Sequence, residues 1–484
     1  MRMGNLSGYQ MGLANGMSKV SWLRSAKTAG IVCTFLFSLI LRGDQRISKD
    51  PVTVTFVDPE WSHDLTEKTL VADARLKDFT QQTGINVKHL PTPETALDQL
   101  DLVRKLLRQG SSSPDVNGID VIWPGALSEE LMDLKPYLAA DLSVINPDVV
   151  DSYTVKGKLV AVPYHSDIGV LVYRKDLLRR YGYRAPPRTW GELEKMAARI
   201  QEGERARGHK DFWGFIWPGA AGEGLTCNAL EWQVSEGGGR IIEADGTISV
   251  NNPDAIHSWQ RAAHWIGWIS PRSVTSLQEW DAINDFYNVG TSAFLGGWAR
   301  SYLLSVRDNP SIRDQIGMTN VPAGKNAQAA TLGGFGLGIS RSSRHAPEAL
   351  QLIRFLIHRE MKLEEAQNGP ELYDPTAILR TNRNSAGNGK QLLGGVVARP
   401  STVAGEKYEQ VSRAYIAAVR SVLLGQSSAP EAAASLEKEL VRITGLKTGP
   451  PSRNRVPKER NSATLSGLRP AAGSAGASPN QDFK

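Results

Sequence analysis

Aromatic, acidic and glycine residues recur at the ends of predicted strands, where side chains of several types could meet one ligand. Aromatic rings stack on apolar C–H faces, and carboxylates and arginine bind pairs of hydroxyl groups through parallel hydrogen bonds. Glycine lets backbone amides approach a ligand closely. The combination suits a sugar, although a single tryptophan in such a set is more often a core residue. The residues are Asp120, Trp123, Tyr164, His165, Ser166, Asp167, Trp217, Glu223, Gly297, Trp298, Gly333, Gly334, Phe335 and Arg399.

The chain is organised around residues 159–178, where a polar segment separates two apolar runs. Residues 159–163 and 168–173 are rich in β-branched side chains and have the length of strands. Pro163 has no amide proton to give to a sheet, which places it at a strand edge or end. The polar segment 164–167 would be costly to bury without partners. A ligand in a cleft between two lobes would supply them, and an ordinary loop between two strands explains the pattern equally well.

The sequence carries no motif of nucleotide, metal or hydrolase chemistry. Residues 387–390 lack the spacing and the hydroxyl residue of a phosphate-binding loop, and residues 334–338 do not make the dinucleotide fingerprint. There is no Gly-x-Ser-x-Gly or His-Glu-x-x-His segment, and the eight histidines are scattered. The sequence therefore predicts no cofactor and no metal site. The two cysteines, Cys33 and Cys227, predict no internal disulfide, because Cys33 lies in the N-terminal apolar segment.

Alternating strands and helices must position these residues in the first part of the chain. Strand-like segments at 51–57, 85–90 and 119–123 are separated by helical segments at 70–79 and 95–109. This alternation predicts a parallel sheet with crossover helices, in which ligands bind beyond the carboxyl ends of the strands.

Turn and cap signals organise the second part of the chain. Glycine turns accompany strand-like segments at 290–298 and 331–340. Thr189, with Glu192 three residues later, has the spacing of a helix-capping box. The last folded part, residues 405–446, is predicted to be helical with a break at a central glycine.

The charge of the chain is unevenly distributed. The 484 residues have a net charge of +6, but residues 1–50 and residues 447–484 each hold seven basic and two acidic residues. The part between them therefore carries −4, from +6 less twice +5. This argues against nucleic acid as the partner, because phosphate binding needs a basic surface on the folded protein. An apolar fraction of 41% allows large cores in two or three domains.

Both ends of the chain lie outside the predicted folded region. Residues 29–41 form a 13-residue apolar run that is short for a membrane span but typical of a secretion signal. The segment lacks a small-x-small cleavage site, so residues 1–50 are predicted to be a signal or an anchor. The folded part is expected in the periplasm or outside the cell, either free or tethered to the cytoplasmic membrane by residues 29–41. The composition of residues 447–484 predicts a disordered tail.

Six segments between residues 120 and 403 make the chain resemble a known family, and the resemblance covers roughly residues 51–446. The run at 222–232 is the most specific of them, whereas 173–177 is common to many sugar binders. On these segments the chain resembles the extracellular solute-binding proteins of ABC sugar importers, family 1, especially the trehalose-, maltose- and sucrose-binding members. The segments are residues 120–125, 162–169 with 173–177, 222–232, 331–337 and 399–403.

The resemblance implies a non-enzymatic binding protein with the two-lobed α/β fold of periplasmic binding proteins. Each lobe would be a mainly parallel sheet flanked by helices, and crossing hinge strands would let the lobes close on a ligand. Residues 51–163 plus 320–372 would form lobe 1, and residues 166–316 plus 374–446 lobe 2. The chain would be a monomer that captures a di- or oligosaccharide between the lobes and delivers it to ABC transporter permease subunits in the membrane.

The family's charged and stacking positions carry over onto five residues of this sequence. By the resemblance, Asp120 and Asp167 are the carboxylates that bind sugar hydroxyls. Trp298, after a glycine turn, resembles a stacking ring, and Arg399 resembles a cationic clamp. Glu223 is a weaker match to a ligand-binding carboxylate.

Four further positions complete the site that the resemblance implies. Gly333 and Gly334 resemble the glycines whose backbone approaches the ligand. His165 stands where relatives often have Tyr, and Phe335 stands where they often have Trp. A phenylalanine still stacks but donates no hydrogen bond, and a histidine changes the set of donors. The two departures leave the particular sugar open.

Two other functions stay open at this point. Asp120 and Asp167 could in principle be the acid/base pair of a glycoside hydrolase, although two carboxylates in a sugar site are expected for binding alone. The ligand could also be a non-sugar solute, such as a polyamine, a phosphate ester or a peptide. A cationic ligand would require more carboxylates in the cleft, and an anionic ligand more Arg or Lys.

Overall fold

The computed structural model describes the chain between residues 51 and 452 with several gaps. The predicted signal or anchor, residues 1–50, lies outside the described residues, and so does the predicted tail from residue 453 onward. In the described part, none of the helices is both long and apolar enough to cross a bilayer. The described residues are 51–57, 67–90, 92, 96–110, 114–142, 145, 147–325, 328–367 and 395–452.

Strands and helices alternate along most of the described chain. The strands are Thr53–Val57 (β1), Asn86–Leu90 (β2), Val116–Asp120 (β3), Thr154–Val155 (β4), Lys158–Leu159 (β5), Val162–Arg174 (β6), Trp213–Ile216 (β7), Ser292–Trp298 (β8), Ile316–Asn320 (β9), Ala329–Ile339 (β10) and Gly395–Val397 (β11). The α-helices are Glu67–Thr83 (α1), Ala96–Arg108 (α2), Pro124–Leu127 (α3), Lys135–Leu142 (α4), Pro147–Ser152 (α5), Lys175–Arg180 (α6), Trp190–Ala206 (α7), Glu223–Glu236 (α8), Pro253–Trp265 (α9), Glu279–Asn284 (α10), Ala299–Asp308 (α11), Ala346–Gln367 (α12), Ser401–Ala404 (α13), Tyr408–Leu423 (α14) and Ala429–Thr444 (α15). Shorter helical turns are the 3-10 helices Arg272–Ser276, Pro310–Ile312 and Gly405–Lys407, and the π-helix Asp285–Val289.

Nine of the described strands form one mixed sheet. Its order is β2-β1-β3-β10-β6-β8-β7, with β11 also beside β10 and β9 also beside β6. The pairs β1 with β2, β1 with β3, β7 with β8 and β10 with β11 are parallel. The long strands β6 and β10 are antiparallel to each other, β10 is antiparallel to β3, and β6 is antiparallel to β8 and β9. These two strands therefore connect the two parallel ends of the sheet.

The buried apolar residues form two main cores, as expected of a two-lobed α/β protein. The first core is drawn mainly from residues 54–164 and from residues 332–357 of β10 and α12. The second is drawn mainly from residues 171–321 and 411–443, and a smaller cluster adjoins it on β6, β8 and α11. Both β6 and β10 contribute residues to both cores. The residue boundaries that we assign to the lobes remain a proposal.

The polar segment 164–167 lies inside one strand rather than between two. β6 runs through it without a break, so the expectation of two separate strands is wrong. The reason is that β10, from far along the chain, provides the backbone pairing that keeps this segment extended. The cross-strand pairs are His165 with Phe335, Ser166 with Gly334 and Asp167 with Gly333.

The register between β6 and β10 shifts just beyond Phe335, and two residues accommodate the shift. Pro163, the second residue of β6, lies opposite Gly336 at this irregularity, as expected of a proline near a strand end. Gly334 has a φ of +108°, a conformation that side-chain-bearing residues rarely adopt. The local geometry of the strand crossing therefore depends on glycine at position 334.

Trp123 and Trp217, two of the aromatic residues at strand ends, belong to the cores. Trp217 is fully buried and packs edge-to-face on Trp232, with ring centroids 5.0 Å apart. Its Nε1 donates a hydrogen bond to the hydroxyl of Ser270 at 3.2 Å. Trp123 is buried in the first core. For these two tryptophans the core interpretation is the correct one.

Helix caps and breaks follow the sequence signals. The hydroxyl of Thr189 accepts a hydrogen bond from the backbone N–H of Glu192 at 3.2 Å, as the capping-box spacing predicts. The helical C-terminal part is broken between α14 and α15, where Gly425 has a positive φ. Both features were expected from the residue pattern alone.

The folded part of the chain extends slightly further than the sequence predicts. Thr448 forms a parallel β-bridge with Ile248, and the backbone N–H of Gly449 donates to the Ile248 carbonyl at 3.0 Å. A disordered tail starting at residue 447 is therefore incorrect for these first residues. The composition of the segment gave no sign of a backbone pairing with a strand-like stretch two hundred residues earlier.

Candidate functional site

A buried arginine links a carboxylate at the end of a strand of the first core to one at the start of a helix of the second core. Arg399 follows β11 and is 8% exposed. Its Nη1 donates to Glu223 Oε2 at 2.8 Å, and its Nη2 lies 4.0 Å from Asp120 Oδ1. Asp120 ends β3 and Glu223 begins α8, so residues from three distant parts of the chain meet here. Ser401, two residues on, donates to the Val121 carbonyl at 3.1 Å and fixes the segment beside Asp120.

The carboxylate of Glu223 accepts hydrogen bonds from side chains of the protein itself. Besides Arg399, the Tyr408 hydroxyl donates to its Oε2 at 2.8 Å and the Ser412 hydroxyl to its Oε1 at 2.5 Å. A carboxylate offers about four acceptor positions, and three are used. The geometry therefore suits Glu223 to holding Arg399 more than to receiving ligand hydroxyls.

Within the described part of the chain, one carboxylate oxygen of Asp167 accepts two backbone hydrogen bonds. Its Oδ1 accepts hydrogen bonds from the backbone N–H of Ile168 at 2.8 Å and of Arg300 at 3.1 Å. Arg300 lies in the first turn of α11, where the free N–H groups of a helix favour a negative charge. Both bonds use Oδ1, which leaves Oδ2 for a further partner. The carboxylate is thus oriented by the backbone while one oxygen keeps its acceptor capacity.

The ring of Trp298 lies against bare backbone. Trp298 ends β8 and pairs with Gly169 on β6. A Cβ added to Gly333 would come within 2.7 Å of the ring atom Cζ3, so only glycine leaves room for the indole at this position. Its Nε1 donates to Glu279 Oε1 at 2.6 Å. The ring is half-buried and stands beside Asp167, because Gly333 is the cross-strand neighbour of that residue.

The remaining predicted residues surround the strand crossing. Phe335 on β10 pairs with Asp120 on one side and with His165 on the other, and it is half-buried. His165 is buried, and its ring lies 3.9 Å from that of Tyr164. A Cβ on Gly334 would overlap the His165 carbonyl oxygen. The close approaches of Gly333 and Gly334 are therefore to protein atoms.

All nine residues that the sequence predicted for the site are brought together by direct contacts or strand pairing. The two groups around Arg399 and around Asp167 are connected through β10, whose residues 333–335 touch both. Within the described residues, no group of three or more His, Cys, Asp and Glu side chains could hold a metal ion. The site therefore offers hydrogen-bond acceptors, the Arg399 guanidinium and aromatic faces. Such groups suit molecules that carry both hydroxyl groups and apolar surface.

Sequence reasoning missed a narrow pocket beneath Trp298. Glu279, Glu231, Cys227 and Asn228 line it together with glycines of β6, β8 and α8. Glu231 came within the quoted run 222–232, but nothing marked it as different from its neighbours. Glu279 follows a 3-10 turn with no motif around it. Only the tertiary structure brings these acids under the ring.

Burial controls the protonation of the site carboxyls. It raises the pKa of Asp120 to about 6, against the opposing effect of the Arg399 guanidinium. It raises the pKa of Asp167 to about 7, although the backbone N–H groups of Arg300 and Ile168 act in the opposite direction. Both carboxyls therefore change their charge at or just below neutral pH, and binding that needs the carboxylate form weakens in acid.

Glu231 lies deeper, in contact with both long strands. Its Oε1 accepts a hydrogen bond from the Thr331 N–H of β10 at 2.9 Å. It also lies so close to Gly169 of β6 that an added Cβ there would overlap its carboxyl group. Burial raises the pKa of Glu231 to about 8, against the opposing hydrogen bonds from Thr331. At neutral pH this side chain is mainly a neutral acid.

We expect the stability of the protein to fall as the pH rises from about 5 to 8. Folded Glu231 keeps its proton up to a pH of about 8, whereas in the unfolded chain it ionises near pH 4.5. The folded state then holds the extra proton, and each such carboxyl removes about 1.4 kcal/mol from the free energy of unfolding per pH unit. Glu231→Gln keeps the acceptor oxygen and should make the decline less steep. Urea unfolding at several pH values measures the slope.

A matched substitution separates this effect from the general pH dependence. Asp120, Asp167 and Glu279 have raised pKa values through burial and contribute slopes of the same sign. Glu129→Gln, at an exposed position, should leave the wild-type slope unchanged. Equal slopes for Glu231→Gln and the wild type would contradict the assignment.

The fold and the site together define a class of protein. Two α/β cores that share a pair of long strands, with polar residues gathered where those strands cross, form the architecture of two-lobed binding proteins. A family model described as bacterial extracellular solute-binding protein matches residues 63–362. The chain belongs to this family, as the resemblance predicted. Members are solute-binding components of ABC transporters and not enzymes, so the hydrolase alternative is wrong.

Individual relatives agree with this assignment. A probable ABC transporter-binding protein of Deinococcus radiodurans is 40% identical over 403 residues, which are 81% of this chain and 94% of that protein. Maltose-bound MalE3 of T. maritima is 31% identical, with a TM-score of 0.69 over 81% of this chain and 100% of that one. A solute-binding protein of Thermotoga lettingae bound with α-D-tagatose has a TM-score of 0.67 at 22% identity, over 82% and 100% of the two chains. At 22% identity, the similarity to the Thermotoga lettingae protein is evidence for the fold alone.

Proposed function

We propose that this protein captures a di- or oligosaccharide of the trehalose, maltose or sucrose type in the cleft between its lobes and delivers it to the permease subunits of an ABC transporter. The observation that carries the proposal is the grouping of Asp120, Asp167, Trp298 and Arg399 around the crossing of β6 and β10. Carboxylates and a guanidinium suit vicinal hydroxyls, and an indole face suits the C–H side of a pyranose ring. The similarity to a maltose-bound protein supports the same class of solute.

Two buried hydrogen-bond donors, one of them on Arg399 itself, add support for a polar ligand. Among the described residues, the Nε–H of Arg399 and the hydroxyl of Tyr153 have no hydrogen-bond partner, and both are buried. The charges of Asp120 and Arg399 act on the Tyr153 hydroxyl, which puts it near this part of the cleft. Buried donors without acceptors are costly, and a ligand oxygen that entered on lobe movement would relieve the cost.

A small polyol is the second candidate for the solute. A mannitol-binding protein of Pseudomonas aeruginosa is 29% identical over 144 residues, which are 27% of this chain and 32% of that protein. His165 and Phe335, the two departures that the resemblance implies, lie at the strand crossing and would influence this choice.

A thermal-shift panel followed by calorimetry tests the proposed function. The panel contains trehalose, maltose, sucrose, a longer maltooligosaccharide, mannitol, a polyamine and a phosphate ester. A rise in melting temperature with one of the disaccharides, and saturable binding of the same sugar, would support the proposal. A response to mannitol alone would favour the second candidate. A shift with the polyamine or the phosphate ester alone would overturn both.

We predict that Asp167→Ala and Trp298→Ala each weaken binding of the solute by about 1–3 kcal/mol, or roughly 5- to 150-fold in Kd. The first removes a carboxylate with a free acceptor oxygen, and the second removes a stacking face. Calorimetry with the sugar found in the panel measures both. Asp101→Ala and Trp268→Ala, at exposed positions, are the matched controls. Parent-like affinity in both cleft variants would mean that the solute binds elsewhere.

We place the working protein in the periplasm or outside the cell, which fits the extracellular family to which it belongs. Whether residues 29–41 are removed or serve as a tether is decided by mass spectrometry of protein from cell fractions. A monomeric chain is expected from the resemblance, and light scattering with and without the sugar measures it.

A further inference from the structure

Glu279 is a half-buried carboxylate beside Trp298 that neither the sequence motifs nor the resemblance assigns. It begins α10, and its Oε1 accepts the hydrogen bond from Trp298 Nε1 at 2.6 Å. A hydrogen bond from an indole N–H to a carboxylate is charge-assisted and directional. Because the indole has one N–H, this bond fixes which edge of the ring faces the protein and which edge faces the cleft.

The ring is restrained on one face by the backbone and at its edge by Glu279. Gly333 lies under the six-membered part of the ring, where a side chain would clash. This contact alone permits the indole to turn over by rotation about its outer side-chain bond, because both orientations place an aromatic face on the glycine. The hydrogen bond to Glu279 removes the second orientation, since the N–H would then point away from its acceptor.

Glu279 is itself held in place by its surroundings. Its Cγ packs over Gly224 in the first turn of α8, where an added Cβ would come within 2.8 Å. The start of α10 is fixed by Asp281, whose Oδ2 accepts a hydrogen bond from the Gln278 N–H at 2.8 Å. The path of contacts from α8 through Glu279 to Trp298 and Gly333 therefore joins a helix of the second lobe to the strand crossing.

We propose that Glu279 is a positioning residue for solute binding, which holds the Trp298 ring in one of its two orientations on Gly333 and so fixes which part of the free face the solute meets. The proposal rests on the proposed function, because it assigns Glu279 a part in the same binding event. Glu279 acts through Trp298, and the solute touches the ring rather than the carboxylate. Gly224 and Gly333 belong to the same device, since each leaves the space that one of the two side chains fills.

A double-mutant cycle tests the proposal by calorimetry with the sugar that binds the wild type. Glu279→Leu removes the acceptor at similar volume and should weaken binding about 5- to 30-fold. Glu279→Gln keeps an acceptor oxygen and should stay within about threefold of the wild type. In a Trp298→Phe background, which has no N–H to position, Glu279→Leu should have no further effect. Trp280→Leu, the next position on α10, is the control for disturbing that helix.

An NMR measurement tests the hydrogen bond without any ligand. The indole N–H signal of Trp298, identified by its loss in Trp298→Phe, should shift downfield in the wild type and in Glu279→Gln relative to Glu279→Leu. An unchanged signal in Glu279→Leu would overturn the proposal even if no solute is found. Equal loss of affinity on Glu279→Leu with and without the indole would also overturn it, because the carboxylate would then act on the solute directly.

The two arms keep this proposal distinct from the proposed function. If the wild type binds none of the sugars and polyols, the proposed function fails and the NMR signal still reports on the Glu279–Trp298 contact. If the wild type binds a sugar and Glu279→Leu binds it equally well, the positioning role fails and the proposed function stands.

Discussion

Replacing Arg399 by Ala is expected to lower the free energy of unfolding by about 3–5 kcal/mol and to weaken solute binding by about 30-fold or more. The guanidinium is buried between Glu223 at 2.8 Å and Asp120 at 4.0 Å, which come from different lobes in our assignment. Truncation leaves two mostly buried carboxylates facing each other without a cation. The loss is large because a buried charge without its partner keeps its desolvation cost.

Equilibrium urea unfolding and calorimetry measure the two effects of Arg399→Ala separately. Arg442→Ala is the matched control, because Arg442 forms an ion pair with Glu439 at 2.6 Å but is 71% exposed. Exposed pairs contribute at most about 1 kcal/mol, so the control should differ little from the wild type. If the two arginine variants lose similar stability, the buried ion pairs of Arg399 do not contribute the stability expected of them.

Gly334→Ala is expected to destabilise the protein by about 3–5 kcal/mol, more than most single substitutions. Its φ of +108° is costly for alanine, and the added Cβ would overlap the His165 carbonyl oxygen and lie 2.7 Å from the Ser166 Cα. Both obstacles are backbone atoms of a central strand, so they cannot move without disturbing the pairing of β6 with β10. The substitution should therefore also disturb the cleft.

Gly425→Ala provides the comparison that separates backbone strain from steric overlap. Gly425 has a φ of +67° between α14 and α15, and a Cβ there would meet nothing within 4 Å. It should cost about 1–2 kcal/mol, the ordinary penalty of a left-handed conformation. Melting curves and urea titrations of the two variants give the difference. Similar losses for both would refute the idea that the strand crossing is tightly packed at Gly334.

The parts of the fold that depend on local patterns could be predicted from the sequence. The alternation of strands and helices before Trp123 gave the parallel pairing of β1, β2 and β3, because short apolar runs and amphipathic segments have distinct periods. The capping box at Thr189 was equally local. Candidate site residues were found because polar side chains at strand ends are conspicuous between apolar runs. The position of Arg399 in the site came from the resemblance and not from spacing.

The parts that depend on distant contacts could not be predicted in this way. The continuity of β6 through its polar segment depends on β10, more than 160 residues later. Glu223 meets Tyr408 and Ser412 across more than 180 residues, and no local signal marks such a meeting. Trp217 and Trp298 look alike in sequence, yet one packs in a cluster of tryptophans and the other lies over a glycine. Residue type sets what a side chain can do, and only the tertiary structure sets which one is placed to do it.

The two strands that both cores share have a mechanical consequence. Among the described strands, β6 and β10 run through both cores, so a rocking of one half against the other would twist them near the pairs of Asp167 with Gly333 and of Ser166 with Gly334. A molecule lodged against Asp167 and Trp298 would stiffen those same peptide units. Ligand binding and the angle between the halves would then be coupled. A permease could therefore detect a bound ligand from the outer surface of the protein, without contact with the ligand.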